Sequence, residues 1–372
     1  MARSGRERMK RIASACVVVW AVLLPLRGMA AESPADACLR DLDALPAYLL
    51  ENDTGAADHI ARKGQAVFDA ALQTARRAAA QAPSDDACLD ALRAYLLTYR
   101  HGHLEITPAH ATAHTDGAPA RAPAMPAFRI LSPRTGLLVL PSFADAPGRR
   151  LKELLKAHAA QIAARDNLII DVRGNTGGAD WVFQPLLPLM DANLRRQAGA
   201  QFLSTPANIQ ASATMCEVFA PDSDECRQAA ARLVALLSNA APGTYVGIPG
   251  QPAVAVTEPK SVKPMPRRVA VLVDGRCGSS CEEFVLAARQ SYKVKVFGQT
   301  TAGALDYSNL RPYRLPSGRR HLLYATSRSQ RLPEFSVDAA GIPPDQVLPA
   351  PQNAPAREAE LMEVMRVVES AH

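Results

Sequence analysis

Two short stretches of this chain could do chemistry. The first is Gly275-Arg276-Cys277-Gly278-Ser279-Ser280-Cys281-Glu282. It follows the apolar run VAVLVDG (269–275) and precedes the helix-like run CEEFVLAARQS (281–291), so its serines fall at a strand-to-helix turn. A hydroxyl there lies beside the unsatisfied N–H groups that open a helix. Acyl transfer needs that pairing of an exposed oxygen with anion-stabilising donors. The second stretch is Asp171-Val172-Arg173-Gly174-Asn175-Thr176-Gly177-Gly178, at the end of the strand-like NLIIDVRGN (167–175). Its paired glycines let backbone N–H groups approach a ligand closely. Each stretch also has a plain structural reading, since serine is a common helix cap and glycine a common turn residue.

The elements that would position these turns alternate. GLLVLPSF (136–143) reads as a strand and GRRLKELLKAHAAQIAAR (148–165) as an amphipathic helix. The strand at 167–175, the strand–turn–helix at 269–291 and the strand VKVFGQT (294–300) follow, with a further helix expected after Gly178. Continuous apolar strands between helices predict a largely parallel sheet covered on both faces. In such sheets ligands gather beyond the C-terminal ends of the strands, where both turns lie. Residues 31–107 read as helices. GAADHIARKGQAVFDAALQTARRAAAQA carries three- and four-residue apolar steps. Ser84, Asp85 and Asp86 then cap a helix running to about Tyr99, and a further helix is expected around Cys226–Asn239. PAHATAHTDGAPARAPAMP (108–126) has linker composition, with His110 and His114 solvated, and 351–372 reads as a closing helix. The predicted organisation is a signal segment (1–30), a helical domain (31–107), a linker (108–126), an α/β core (127–350) and the C-terminal helix (351–372).

The pair DVRGNTGG and VLVDG–CGSSCEEF…VFGQTTAG, in that order, resembles the tail-specific (C-terminal processing) serine peptidases over roughly residues 127–350. The resemblance implies a ClpP/crotonase-like α/β core and peptide-bond hydrolysis. The family's nucleophile lies three residues before a Glu, which makes it Ser279 here, with Ser280 the alternative if the register slips by one. Familiar members pair the serine with a Lys in a downstream turn. The matching turn here is Thr301-Ala302-Gly303-Ala304, with Ala304 in the Lys position. The chain therefore resembles the Lys-free branch that includes the tricorn protease core and retinoid-binding relatives. That branch implies a Ser–His–acid arrangement, with the His from before the core and the acid from an acidic-x-x-Gly-x-x-Pro-Asp phrase. His103, in TYRHGHLEI, and Asp338, in Asp338-Ala-Ala-Gly-Ile-Pro-Pro-Asp345, match those places, with His101 as a neighbouring alternative base. The backbone N–H of Gly177 or Gly178, with that of Ser280, would form the oxyanion hole. Asp171, Arg173 and Glu282 read as bracing residues. About thirty residues separate His103 from the 136–143 strand, too few for a PDZ domain between them.

Charge and cysteine usage bound the setting. The net charge is +6, but residues 1–30 hold six basic side chains and one acidic, leaving about +1 for residues 31–372. The basicity is therefore a targeting feature, not a nucleic-acid footprint. Five cations, an apolar run IASACVVVWAVLLPL and small residues Gly28, Ala30 and Ala31 form an export signal, with no later stretch apolar enough to span a bilayer. The expected location is the periplasm or outside the cell, with no stable membrane insertion after cleavage. Six cysteines remain after Cys16, an even number suited to an oxidising compartment, and sequence leaves 15 pairings open. Local spacing favours Cys216–Cys226, Cys38–Cys88 lie in similar phrases, and Cys277–Cys281 would close a tight loop around Ser279. A metal reading lacks ligand spacing. The expected partner is a polypeptide substrate, with no cofactor and no nucleic acid, and the oligomeric state stays open. The competing reading is an inactive member that binds peptides or an apolar ligand. A CoA-thioester enzyme on the related crotonase-type core conflicts with export.

Overall fold

The computed structural model describes residues 32–109, 124–220, 222–259 and 261–370. The signal segment (1–30) and most of the linker, including His110 and His114, lie outside the described residues. Residues Pro34–His372 form one compact unit, and the helical and α/β parts are portions of it.

The centre is a six-stranded sheet ordered Gln346–Val347, Val294–Gly298, Arg268–Val273, Asn167–Asp171, Thr135–Val139, Ala127–Ile130. Five strands are parallel and only the last pairs antiparallel. The strands are apolar throughout because both faces are covered. Leu138, Ile170 and Val271 point to a core shared with the helices Asp145–Ala157 and Ser280–Ala288. Leu137, Ile169, Ala270 and Leu272 point to the other face, covered by Leu361, Val364 and Val368 of the C-terminal helix Ala354–Ser370. The period-two alternation of strand side chains assigns neighbouring residues to opposite cores.

The helix expected after Gly178 is instead a broken run, with 3-10 turns at Asp180–Val182 and Gln184–Leu186 and one helical turn at Leu187–Met190. Pro185 and Pro188 account for the interruption, since proline removes the donors a regular helix needs. The apolar repeat in 55–82 is likewise two helices, Ala56–Lys63 and Gln65–Ala80, because Gly64 turns the chain at φ +84°. The helix 148–165 also divides, into Asp145–Ala157 and Ala159–Ala163.

A second, five-stranded sheet was not legible in the sequence. Arg320–Ser329 pairs with Leu104–Pro108, with Tyr307–Arg314 and with Ala200–Leu203, which in turn pairs with Tyr245–Gly247, all antiparallel. Leu322 and Tyr324 of its central strand join Cys38, Leu42, Leu45, Leu92 and Tyr99 in the core of the helical region. The helices therefore pack on this sheet, which carries the segment after the Thr301–Ala304 turn. Disulfides join Cys38–Cys88, Cys216–Cys226 and Cys277–Cys281. Spacing favours the second of these, and the other two are the further candidates among the 15 pairings left open. Among the described residues no helix is long and apolar enough to cross a membrane.

Candidate active site

Four consecutive strand ends of the parallel sheet release their loops on one side. The loop after Val139 leads to Phe143, that after Asp171 to Gly177–Gly178, that after Val273 to Ser279, and that after Gly298 to Ala304. Phe143 ties the first two together. Its N–H donates to the Gly177 carbonyl and its carbonyl accepts from Ala179. Its ring packs with Phe183 and with Phe284 of the helix Ser280–Ala288, each at 5.8 Å between centroids. A side chain at Gly178 would collide with the Phe143 carbonyl at 2.1 Å, so this approach requires glycine. At Gly177 a Cβ would meet the Ser279 Cβ at 2.7 Å, which places the glycine pair directly against the serine.

Ser279 precedes the helix Ser280–Ala288 with φ +56° and ψ −128°, a conformation that L-residues rarely adopt. Its side chain makes no capping hydrogen bond. The plain cap reading therefore fails for it, and its hydroxyl is unspent and half-exposed. Ser280 differs. It is buried, and its hydroxyl donates to the Gly178 carbonyl at 3.1 Å. The Ser279 N–H donates to the Ala304 carbonyl at 2.9 Å.

The donors for an oxyanion are narrower than the sequence suggests. The Gly177 N–H is committed to Asn175 Oδ1 at 2.9 Å. The Gly178 N–H and the Ser280 N–H, the first in its helix and so without an intrahelical acceptor, remain. Asn175, which sequence reading left as a loop residue, is fully buried. It also donates through Nδ2 to Leu140 and accepts from Gly278 N–H on its carbonyl, so one side chain and one peptide hold three site loops.

Glu282 braces the 301–304 turn. Its carboxylate accepts from Thr301 Oγ1 at 2.5 Å, Gly303 N–H at 2.7 Å and Ala304 N–H at 2.8 Å. Burial raises its pKa against the pull of those donors. Asp171 and Arg173 form a buried ion pair at 2.6 Å, and Arg173 reaches Glu360 of the C-terminal helix at 2.5 Å, the bracing role expected.

Ala304 explains why this site has no room for a downstream Lys. A Cβ at Gly102 would lie 2.4 Å from the Ala304 Cβ, so the loop carrying His103 fills the space a longer side chain would occupy. His103 itself has φ +52° and is half-buried, whereas His101 is exposed. His103 Nδ1 meets the Tyr307 carbonyl at 2.5 Å. A carbonyl only accepts, so Nδ1 carries the proton and Nε2 is left as the acceptor. Burial, with the Arg100 charge adding to it, lowers the His103 pKa to about 4.

The helical region supplies the brace for this histidine. Arg100, buried, donates from Nη2 to the His103 carbonyl at 2.9 Å and forms a two-point pair with Asp53 at 2.7 and 2.6 Å. Asp53 also accepts from Gly55 N–H and from Ala325 N–H of the antiparallel sheet. The Tyr307 hydroxyl donates to Asp58 at 2.8 Å. None of Arg100, Asp53 or Tyr307 could be singled out beforehand, since each acts through a partner distant in sequence.

Asp338 makes no hydrogen bond to His103 in this structure. Its Oδ1 accepts from Leu305 N–H and Asp306 N–H, both at 2.6 Å, and its Oδ2 is buried without a partner. Burial, with the neighbouring Asp306 charge, pushes its pKa up to about 6. Asp306 reciprocates, accepting from Asp338 N–H at 2.8 Å. The acid thus fixes the two residues immediately before Tyr307. The Ser279 N–H bonds to Ala304 and Gly102 packs against the Ala304 Cβ, while Ser279 and His103 share no hydrogen bond in this structure.

Comparison with known proteins places the chain in a family. The model of peptidase family S41 matches residues 134–348, more than half of the chain. This chain belongs to peptidase family S41. It is a serine peptidase, and its substrates are polypeptides. No curated protein sequence matches it. Among solved structures, mature CPAF is similar at 12% identity over 90% of this chain and 96% of that one, with a TM-score of 0.56. A protein from Parabacteroides merdae, solved as a candidate peptidase, is similar at 16% identity over 91% and 98%, with a TM-score of 0.52. At these identities the likeness is one of fold. It includes the α/β core and the helical N-terminal region.

Proposed function

We propose that the chain is an exported serine endopeptidase in which Ser279 is the nucleophile and His103 the general base. The carrying observation is the pair of opposite hydroxyl states at the turn: Ser280 is buried and bonded, whereas Ser279 is strained, half-exposed and unbonded. In this reading Ser279 Oγ attacks the scissile carbonyl carbon, and its proton passes to His103 Nε2. The imidazolium then protonates the leaving amine, and a water activated by the same Nε2 hydrolyses the acyl-enzyme. The Gly178 and Ser280 N–H groups receive the tetrahedral oxyanion, each worth about 3 kcal/mol in such sites. The orienting acceptor for His103 is the Tyr307 carbonyl. Asp338 acts one step behind it, holding the 305–306 backbone that aims that carbonyl. Asp338 is therefore a positioning residue. This arrangement accords with the Lys-free branch, since Gly102 and His103 occupy the surroundings of Ala304. The N-terminal cation-plus-apolar pattern and three disulfides support export to the periplasm or the exterior.

The test is turnover of an unfolded protein such as casein, with fluorophosphonate labelling of the purified chain alongside. Wild-type cleavage and labelling, both lost in Ser279→Ala and retained in Ser280→Ala, is the expected result. Labelling retained in Ser279→Ala and lost in Ser280→Ala would move the nucleophile by one residue. Ligand binding with neither cleavage nor labelling would replace the reading with an inactive binding protein.

A further inference from the structure

We propose that the Cys277–Cys281 disulfide is the positioning device of the nucleophile, joining the residue two before Ser279 to the residue two after it and holding the serine backbone in its strained conformation. The inference rests on Ser279 being the nucleophile. Its first support is the place of the bond. The bridge spans four residues, with Ser279 at the midpoint, and both cysteines are fully buried in the core beneath the parallel sheet. Ser279 lies on the outer side of the same turn, half-exposed.

The second support is what else holds the turn. The Ser279 N–H is bonded to Ala304 and the Ser279 carbonyl accepts from Glu282 N–H at 2.8 Å, so the peptide groups on either side of the serine are tethered. Gly278 N–H reaches Asn175 only at 3.3 Å. These bonds fix the ends of the serine's own torsions, and a positive φ at a non-glycine residue persists only where the surrounding structure over-determines it. The disulfide adds to that constraint by setting the separation of the flanks, at 5.3 Å between Cα atoms. Cys277 also accepts from Ala302 N–H on its carbonyl, so the bridge links the nucleophile turn to the loop that leads to Ala304 and the His103 surroundings.

The third support is the contrast with the other bridges, which close sequence separations of 50 and 10. A bond across four residues restricts the unfolded chain least of the three. Its position around the strained serine fits a local geometric role better than a global one. Because both sulfurs are buried, the bond acts as a fixed brace.

The experiment compares the exported wild type with Cys277→Ala/Cys281→Ala and with Cys277→Ala/Cys281→Val, which refills part of the lost volume. Two readouts are taken on each: amide hydrogen exchange of the peptide 274–284, and the rate of fluorophosphonate labelling at saturating probe. The expected result is exchange in that peptide about tenfold faster with other segments unchanged. Labelling should slow about a hundredfold, as a misplaced reacting group does, with the thermal midpoint lowered by only a few degrees. Unchanged exchange in 274–284, or loosening of the whole molecule in both variants, would overturn the proposal. Exchange that loosens locally in a chain whose wild type does not label would keep the brace and reject the peptidase mechanism instead.

Discussion

The loops carrying Ser279 and His103 both pack on Ala304, yet the two residues are held by different means. Around the serine the constraints are short, covalent and apolar: a disulfide over four residues, a helix that begins at Ser280, and the Phe143–Phe183–Phe284 cluster behind the glycine loop. Around the histidine they are long-range and ionic. His103 meets a carbonyl 204 positions away, and its own carbonyl is held by Arg100, whose partner Asp53 lies 47 positions earlier. In the proposed mechanism the nucleophile is thus built into the α/β core, whereas the base is assembled only when the helices dock on the antiparallel sheet. Damage to the docking should disable the base while leaving the nucleophile turn formed.

The largest effect should come from removing either reacting group. Ser279→Ala and His103→Ala are each expected to lower kcat by about a millionfold, because such groups act as a unit, while His101→Ala stays near wild type. Steady-state peptide hydrolysis on folded variants checks this, and a His101→Ala defect as deep as that of His103→Ala would transfer the base role. Next is the docking brace. Asp53→Ala leaves the Arg100 charge buried and unpaired, which should cost about 3–5 kcal/mol in denaturant unfolding. Near-wild-type stability in that variant would mean that the base side is not held through this pair.

Asp338→Asn separates a contacting acid from a positioning one. An Asn in direct contact with the catalytic histidine costs about ten-thousandfold. Here the acid touches only backbone N–H groups, which an amide oxygen can still receive, so a loss of about tenfold in kcat is expected. A loss near the larger figure would put Asp338 on His103 during turnover.

The pH profile sharpens the same contrast. With the His103 pKa lowered to about 4, the base stays neutral well below the ordinary histidine range. The acid limb of kcat/KM should therefore fall near that value and not near ~6.5. For stability the sign is fixed by the unfolded chain, which binds the proton more readily. This histidine's contribution is present above the unfolded pKa and is lost as pH falls toward the folded one. Asp338 has the opposite sense. Its pKa, raised to about 6, makes its stability contribution complete below the unfolded carboxylate value and lost as pH rises through 6. An acid limb of kcat/KM at the ordinary histidine value would show that His103 in the free enzyme keeps the usual affinity for protons.

The last contrast is between two of the bridges. Removing Cys38–Cys88, which closes a separation of 50, should cost about 4 kcal/mol against about 2 kcal/mol for Cys277–Cys281. Calorimetry of the two double-alanine variants gives the order, and a reversed order would make the short bridge a global staple.

Much of the nucleophile side was legible. The strands, the DVRGNTGG and CGSSCEEF turns and the nucleophile helix are local patterns, and the residue that places Ser279 three before Glu282 is read by counting. Glu282 was expected to brace the helix start, but it braces the turn at Ala304, because the direction of a buried carboxylate depends on which loop packs over it. The oxyanion donors were only half legible. Nothing in Gly177-Gly178 tells that the first N–H is taken by Asn175.

The sequence by itself determined the parallel sheet, the serine turn and the Cys216–Cys226 pair, since these follow from periodicity, turn chemistry and short spacing, while the choice of Ser279 within the turn came from the family resemblance. Tertiary structure alone decided the antiparallel sheet, the Tyr307 carbonyl as the partner of His103 and the step that separates Asp338 from the imidazole. Each of these is a contact between segments far apart in the chain. Local propensity does not encode such contacts; they are chosen by the burial of the helical region against the central strand Arg320–Ser329.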